Sequence, residues 1–199
     1  MGDLVNLSKT MSWLLRHHLH ETDLVVSSDG YVKVNDMLCL PEFKNITLDQ
    51  VIDIVKTNDK KRFSLKEENG TMYIRANQGH SKDVGKLIKQ EELLKEIISP
   101  LENCIHGTNL KAWSTIQTEG LSTMDRTHIH FATGLNSKSG FRGGSQILIY
   151  IDMKLAMNDG IKFYISDNGV ILTNGINNVL PPKYFLKVIN TKDVKKVEK

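Results

Sequence analysis

The chain has 199 residues, enough for one large domain or two small ones, and its composition, with 40% hydrophobic and 25% charged residues, is typical of a soluble protein. No apolar run approaches the roughly 20 residues that a membrane-spanning helix requires, so the sequence argues against a membrane protein. The net charge of +3 is too small to establish a nucleic-acid partner by itself.

The first predicted element is an amphipathic helix over residues 7–20. Its apolar side chains recur at helical spacing and form one stripe, made of Leu7, Met11, Leu14, Leu15 and Leu19. His18 projects into this stripe as a core histidine, whereas Arg16 and His17 project toward solvent. The spacing leaves two interpretations of Arg16 and His17 open: charges favoured by the helix dipole, or functional groups.

A turn, a short strand and two helices are predicted next. The segment DGYVKVNDML indicates the turn and the strand, with Asn35 as the N-cap of a helix. Thr47 and Gln50 form a capping-box pattern in the segment ITLDQVIDIVKTNDK, whose helix carries an apolar face of Val51, Ile54 and Val55.

The segment KRFSLKEENGTMYIRAN predicts a β-hairpin, because Asn69-Gly70 is a type I′ turn signal. In its second strand, residues 71–76, Arg75 and Tyr73 share the face opposite the presumed core. Helix, strand, two helices and a hairpin are the element order of a winged-helix lobe over residues 1–80.

The charged residues 81–104 are predicted to connect this lobe to a mostly β lobe over residues 105–199. The segment IHGTNLKAWSTIQTEGL predicts a strand, a turn and a helix that Asn109 caps and Gly120 ends. A short helix at 153–158 interrupts a series of strand-like runs: HIHFAT, SQILIYID, IKFYIS, GVILTN and YFLKVIN. The fold class is therefore α+β, and the lysine-rich tail from Thr191 is predicted to be disordered.

Common catalytic and metal-binding motifs are missing from the sequence. His128 and His130 share a strand face, but no Cys, Asp or Glu at a familiar spacing completes a metal site, so no metal is expected. Cys39 and Cys104 have no cysteine partner nearby, which favours a reducing, intracellular location, either cytoplasmic or, in a eukaryotic host, nuclear. The glycine-rich GFRGGS lacks the ending of a nucleotide P-loop.

Arginine is scarce, and three of its positions lie in polar, turn-adjacent segments: Arg16 in RHH, Arg75 in IRANQGHS and Arg142 in GFRGGS. Each guanidinium can donate two parallel hydrogen bonds to a phosphate. From the residues alone, convergence on one polyanion and three unrelated surface arginines are equally tenable.

These segments together resemble the NAD-dependent RNA 2′-phosphotransferases, also called tRNA 2′-phosphotransferases. The similar stretches follow the family's order over roughly residues 7–190: LSKTMSWLLRHHL, YIRANQGHS, IHGT, HIHFATG, GFRGGSQILIYID, GVILTNG and PPKYF. The resemblance implies a winged-helix RNA-binding lobe and an ADP-ribosyltransferase-like NAD lobe. The expected partners are NAD and an RNA with an internal 2′-phosphate, and we expect a monomer.

The resemblance also implies a two-step reaction. The RNA 2′-phosphate attacks the nicotinamide ribose C1″ of NAD and expels nicotinamide; the 2″-OH then attacks the phosphodiester, which yields 2′-OH RNA and ADP-ribose 1″,2″-cyclic phosphate. By motif, the catalytic positions are Arg16, His17, Arg75 and Arg142. The positions implied to contact NAD are His106, Gly107, Thr108 and His130.

This reaction is consistent with a site rich in arginine. A phosphate monoester, with a second pKa of about 6, is mostly a dianion at neutral pH and needs positioning rather than a general base. A later strand carries a glutamate in many transferases of this fold, and SQILIYID has none. The second step moves protons, and His17 is assigned either to that step or to orienting the phosphate.

Two other functions compete with this one. The first is an ADP-ribosyltransferase acting on nucleic-acid phosphate ends with the same lobes. The second is a winged-helix DNA-binding regulator, which would need a basic recognition helix. The acidic residues of the segment LDQVIDIVKTNDKK argue against the regulator: Asp49, Asp53 and Asp59.

Overall fold

The computed structural model describes residues 2–140 and 144–194, with side-chain environments for 5–140 and 144–192. Internal contacts divide the chain into two units, Met1–Leu94 and Lys95–Lys199. Both units combine helices with antiparallel strands, so the predicted α+β class is confirmed. Among the described helices, none is both long and apolar enough to cross a membrane.

The strands of the first unit are β1 (Val32–Lys33), β2 (Phe63–Glu68) and β3 (Thr71–Ala76). They form an antiparallel sheet in the order β1-β3-β2. The α-helices around the sheet are α1 (Gly2–Trp13), α2 (Val34–Leu38), α3 (Leu48–Thr57), α4 (Lys82–Gly85) and α5 (Gln90–Leu93).

The first helix starts earlier than predicted and does not remain α-helical. Beyond Trp13 the chain continues as a π-helical turn, Leu14–His18, and then as a 3₁₀ turn, Leu19–Glu21. The predicted apolar stripe is confirmed, because each of its members is buried. The π-helical turn is wider than an α-helical one, so an α-helical wheel is a poor guide to the polar side chains within it.

The prediction for His18, the last residue of this turn, is wrong. Its ring is half-buried rather than part of the core, and it stacks on Trp13 with the ring centroids 4.1 Å apart. Its Nδ1 lies 2.9 Å from Glu21 Oε2. Arg16 and His17 also depart from the prediction, since both are half-buried rather than turned to solvent.

Local signals predict the next elements well, with one exception. The Thr47 side chain accepts a hydrogen bond from the Gln50 amide at 3.3 Å, and the Gln50 side chain accepts one from the Thr47 amide at 2.8 Å, which confirms the capping box. The exception is Asn35, which is not an N-cap: α2 begins directly after β1, and Lys33 occupies the cap position.

The hairpin is confirmed in bounds and turn. Glu68 pairs with Thr71, and Asn69 and Gly70 between them have φ of 51° and 73°, as a type I′ turn requires.

Residues 81–104, predicted as a connector, are divided between the units. Val84, Ile88 and Leu93 are buried within the first unit, and the Lys89 amide donates to the Ser28 carbonyl at 2.8 Å. Strand pairing in the second unit begins with Lys95. The charged composition of this segment is typical of an exposed linker. Its few apolar side chains are nevertheless sufficient to pack the first part of the segment against the first unit.

The α-helices of the second unit are α6 (Leu110–Glu119), α7 (Met153–Asn158) and α8 (Thr191–Val194). Its strands are β4 (Lys95–Glu96), β5 (Ile105–Thr108), β6 (Leu121–Ser122), β7 (Ile129–Phe131), β8 (Ile147–Ile151), β9 (Tyr164–Ile165), β10 (Ile171–Thr173), β11 (Val179–Leu180) and β12 (Phe185–Asn190). These strands form antiparallel sheets in the orders β4-β9-β10-β7, β11-β6 and β12-β8-β5.

Strand β8 lies between β5 and β12 and is buried along its whole length, which accounts for its continuous apolar sequence. Its Ile149 belongs to a core that includes Phe131 and Phe163. Asn109 caps α6 by accepting from the Ala112 amide at 2.8 Å, and Gly120 ends it with φ of 91°, both as predicted. The predicted disordered tail begins as α8, and residues 195–199 lie outside the described ranges.

Candidate active site

The π-helical turn holds Arg16 against the loop that follows β3. The Arg16 carbonyl accepts a hydrogen bond from the Ser81 amide at 2.8 Å, so this backbone oxygen is bound by a distant segment. The Arg16 side chain packs on Gly79, where a Cβ would lie 3.5 Å from Arg16 Nε. Gly79 has φ of +88°, a conformation that favours glycine. Backbone and side chain of Arg16 are thus both positioned by the loop.

Arg75 is held more tightly. Its side chain is only 9% exposed, and its Nη1 donates to the Asp29 carbonyl at 2.9 Å. The guanidinium carbon lies 4.6 Å from the centre of the Tyr31 ring, a cation–π contact. The face that carries Arg75 is opposite the core, as predicted, but it is covered by this second layer of contacts. The sequence reasoning did not identify Asp29 or Tyr31, which lie more than 40 residues earlier in the chain.

The carboxylate of Asp29 is the acidic centre of this layer. Burial raises its pKa, but a hydrogen bond from Ser27 and the charges of Lys66 and Arg75 outweigh burial, so the pKa lies below its usual value. Lys66 Nζ is 3.6 Å from Asp29 Oδ2 and 4.3 Å from the centre of the Tyr31 ring. Asp29 therefore stays ionised at neutral pH and neutralises part of the positive charge around Arg75.

The loop between Arg75 and α4 is built from buried polar groups. Asn77 accepts from the Ser64 hydroxyl at 2.7 Å and donates to the Lys61 carbonyl at 2.8 Å. His80 is buried, and Ser81 caps α4 by accepting from the Val84 amide at 3.4 Å. Since β3 and α4 both pack against the π-helical turn, this loop joins the segments that carry Arg16, His17 and Arg75.

The second unit brings together the residues of the other predicted set. His106, Gly107 and Thr108 lie on β5, paired with β8. His130 lies on β7, and its carbonyl is 3.0 Å from His106 Nδ1. A carbonyl only accepts, so Nδ1 carries the proton in this bond.

Burial lowers the pKa of His106, and the hydrogen bond to His130 opposes this only in part. The ring is therefore neutral at pH 7, and its Nε2 is left as an acceptor.

His128, just before β7, is a buried histidine that packs edge-on against Tyr164 with ring centroids 6.1 Å apart. Burial lowers its pKa from 6.5 to about 4.

This shift predicts loss of stability in mild acid. The folded protein holds the neutral ring, so the unfolded chain binds the proton first as pH falls below 6.5. The free energy of unfolding should decrease from pH 6.5 to about 4 by about 3 kcal/mol, and His128→Phe should flatten this profile. Urea unfolding between pH 6.5 and about 4 measures the free energy of unfolding. The matched control is His20→Gln, which replaces an exposed histidine. Equal pH dependence in wild type and His128→Phe would contradict the assignment.

The GFRGGS segment is attached at both ends to the strands that carry the histidines. At Gly140 the chain crosses β7 so closely that a Cβ would lie 2.5 Å from Ala132 Cα. On the far side, the Gln146 amide donates to the Thr108 carbonyl at 2.8 Å, and the Gln146 side chain accepts from the Leu110 amide at 3.1 Å. Arg142 itself, with residues 141 and 143, lies outside the described ranges.

Three of the four predicted catalytic residues, Arg16, His17 and Arg75, lie on adjoining segments of the first unit. The predicted NAD-contacting residues lie on strands of the second unit: His106, Gly107, Thr108 and His130. A guanidinium can donate two parallel hydrogen bonds to a phosphate ester, and a neutral, oriented histidine is suited to polar recognition.

The sequence model of the RNA 2′-phosphotransferase family, Tpt1/KptA, matches residues 2–175, and the chain belongs to this family. It is 44% identical to a putative tRNA 2′-phosphotransferase of Schizosaccharomyces pombe over 94% of this chain and 52% of that protein. It is 43% identical to tRNA 2′-phosphotransferase 1 of Danio rerio, over 91% of this chain and 83% of that one. It is 40% identical to tRNA 2′-phosphotransferase 1 of Homo sapiens, over 96% of this chain and 78% of that protein. The chain spans about half the length of the S. pombe relative.

Proposed function

We propose that this enzyme removes an internal 2′-phosphate from RNA, of the kind left in spliced tRNA, by transferring it to NAD. The products are 2′-OH RNA, nicotinamide and ADP-ribose 1″,2″-cyclic phosphate. The membership of the family over residues 2–175 supports the phosphotransfer, and the relatives' names support the tRNA substrate. The structural observation that carries the proposal is the joining of Arg16, His17 and Arg75 by one buried loop.

The first unit is proposed to be a winged-helix RNA lobe. Its helices α1 to α3, the short β1 and the β2–β3 hairpin follow the winged-helix order, and the hairpin pairs with β1 through β3. The second unit is proposed to be an ADP-ribosyltransferase-like lobe. The strand–helix unit of β5 and α6, with β8 beside β5, supports this assignment.

The phosphate dianion is proposed to bind the guanidiniums of Arg16 and Arg75, and Arg142 is proposed as a further catalytic residue on the family resemblance alone. The loop contacts of Arg16 and the contacts of Arg75 with Asp29 and Tyr31 reduce the conformational entropy that these long side chains lose on binding. Since the nucleophile is already ionised, these residues position it and stabilise its charge as it reacts.

The residues of β5 and β7 fit the nicotinamide half of NAD. His106 Nε2 is an acceptor in the neutral ring, so it can bind an amide N–H or a ribose hydroxyl, and the His130 carbonyl fixes its orientation. Bound NAD supplies the ribose carbon that accepts the phosphate and the adjacent hydroxyl that later releases the RNA. In the second step the ribose 2″-OH loses a proton and the RNA 2′-oxygen gains one. His17 is proposed to transfer this proton, or to orient the phosphate.

Incubation with a 2′-phosphorylated oligonucleotide tests this function. We expect the phosphate to disappear only when NAD is added, with release of one nicotinamide per RNA. The same oligonucleotide without its phosphate is the control, and it should release no nicotinamide. Persistence of the phosphate would refute the proposal, and stable attachment of labelled ADP-ribose to the RNA would identify an ADP-ribosyltransferase instead.

A further inference from the structure

The first unit contains a groove that extends away from Arg16 and His17. Its volume is about 720 Å³, within the range of ligand sites, which is about 300–1,000 Å³. Helix α1, the π-helical turn, the C-terminal part of α3 and the segment after it form its walls. Arg16 and His17 belong to the lining, so one part of the groove adjoins the groups proposed to hold the reacting phosphate.

The groove is positively charged. Among the described residues that line it, Lys9, Arg16 and Arg62 are cationic and Asp59 is acidic. The Arg62 side chain is half-buried, and its Nη1 donates to Asn58 Oδ1 at 3.2 Å. This bond uses one of the guanidinium's N–H groups and fixes its position, so the remaining N–H groups are available to an anion.

The groove also offers an aromatic surface. Trp13 lines it and is 41% exposed. One indole face stacks on His18, with the ring centroids 4.1 Å apart. A partly exposed indole is the kind of surface on which an unpaired base stacks.

We propose that this groove is a subsite for single-stranded RNA next to the 2′-phosphate. Lys9 and Arg62 bind flanking phosphodiesters, and Trp13 stacks one flanking base. The inference deepens the proposed function and rests on it, because an internal 2′-phosphate at Arg16 and His17 necessarily has nucleotides beside it. Cations combined with an aromatic surface favour a nucleic-acid strand over an acidic peptide, which would not need the indole.

The test compares a long with a short substrate. The long substrate is a single-stranded RNA with several nucleotides on each side of the 2′-phosphate, and the short one is a 2′-phosphorylated dinucleotide. In the Lys9→Ala, Arg62→Gln double variant, the ratio of long to short kcat/KM should fall about tenfold. The slope of log affinity against log salt for the long RNA should become shallower by about 1.4, since each single-strand phosphate contact contributes about 0.7.

Trp13 is tested separately. Trp13→Ala should lower the same ratio about tenfold, and Trp13→Phe should restore most of it because a ring remains. An abasic nucleotide in the flanking position should weaken the wild type and leave Trp13→Ala almost unaffected. If the abasic nucleotide weakens RNA binding by the same factor in the wild type and in Trp13→Ala, Trp13 does not stack the base.

Lys56→Ala is the control, because it removes a charge from α3 at an exposed position outside the groove. Its ratio of long-substrate to short-substrate kcat/KM should equal that of the wild type. Affinity measured by fluorescence anisotropy separates this inference from the proposed function. Absence of turnover by the wild type refutes the function, whereas equal long-to-short affinity ratios in wild type and double variant refute the groove.

Discussion

Arg16→Ala is expected to lower kcat/KM for 2′-phosphorylated RNA by about a thousandfold, at the upper end of what one lost charge-stabilising donor removes. Its guanidinium packs on Gly79, and its carbonyl is bound by the Ser81 amide. The alanine variant keeps that backbone bond, so the turn should persist and the free energy of unfolding should decrease by only about 1 kcal/mol. The loss is therefore expected in catalysis rather than in folding.

Arg16→Lys tests the reason for this loss. Lysine keeps the positive charge but has a single ammonium in place of the planar fork, so it should recover only a small part of the activity. Steady-state kinetics and urea unfolding of both variants, with Lys56→Ala as a control for loss of a charge from the same unit, separate the effects. Near wild-type turnover by Arg16→Ala with a folded protein would contradict the proposed role of this residue.

Gly140→Ala is expected to destabilise the second unit by about 4 kcal/mol, a large loss for one methyl group. The added Cβ would lie 2.5 Å from Ala132 Cα and 2.7 Å from the Phe131 carbonyl oxygen. These are backbone atoms at the end of a buried strand and cannot move aside as a flexible side chain does. The φ of +103° adds strain of about 1–3 kcal/mol for any residue with a Cβ.

Gly144→Ala provides the matched comparison. Gly144 also has a positive φ, +84°, but a Cβ there would meet no described atom within 4 Å. It should therefore show only the backbone cost, about 1 kcal/mol, and the difference between the variants isolates the steric overlap. In a Trp13→Phe background, the fluorescence of Trp113 follows the second unit during urea unfolding. Equal losses in the two variants would contradict the close crossing at Gly140.

Local rules were sufficient wherever the determining residues are near neighbours. The capping box of Thr47 and Gln50, the Asn69-Gly70 turn and the bounds of α6 and α7 depend on hydrogen bonds and φ preferences within a few residues. A helical wheel likewise identified the buried stripe of the first helix. These features follow from the sequence because the interactions that form them are short-range.

The surroundings of the proposed catalytic side chains depend on distant segments instead. The π-helical turn that carries Arg16 is bound by Ser81, Arg75 is covered by Asp29 and Tyr31, and Gly140 crosses Ala132. The family resemblance identified the arginines, but the local spacing predicted Arg16 exposed and His18 buried. The capping box, the hairpin turn, the bounds of α6 and α7 and the family resemblance follow from the sequence alone, because caps, turns and motif order depend on residues close together in the chain. The orientation and burial of the proposed catalytic side chains depend on packing between remote segments, which leaves no local signal.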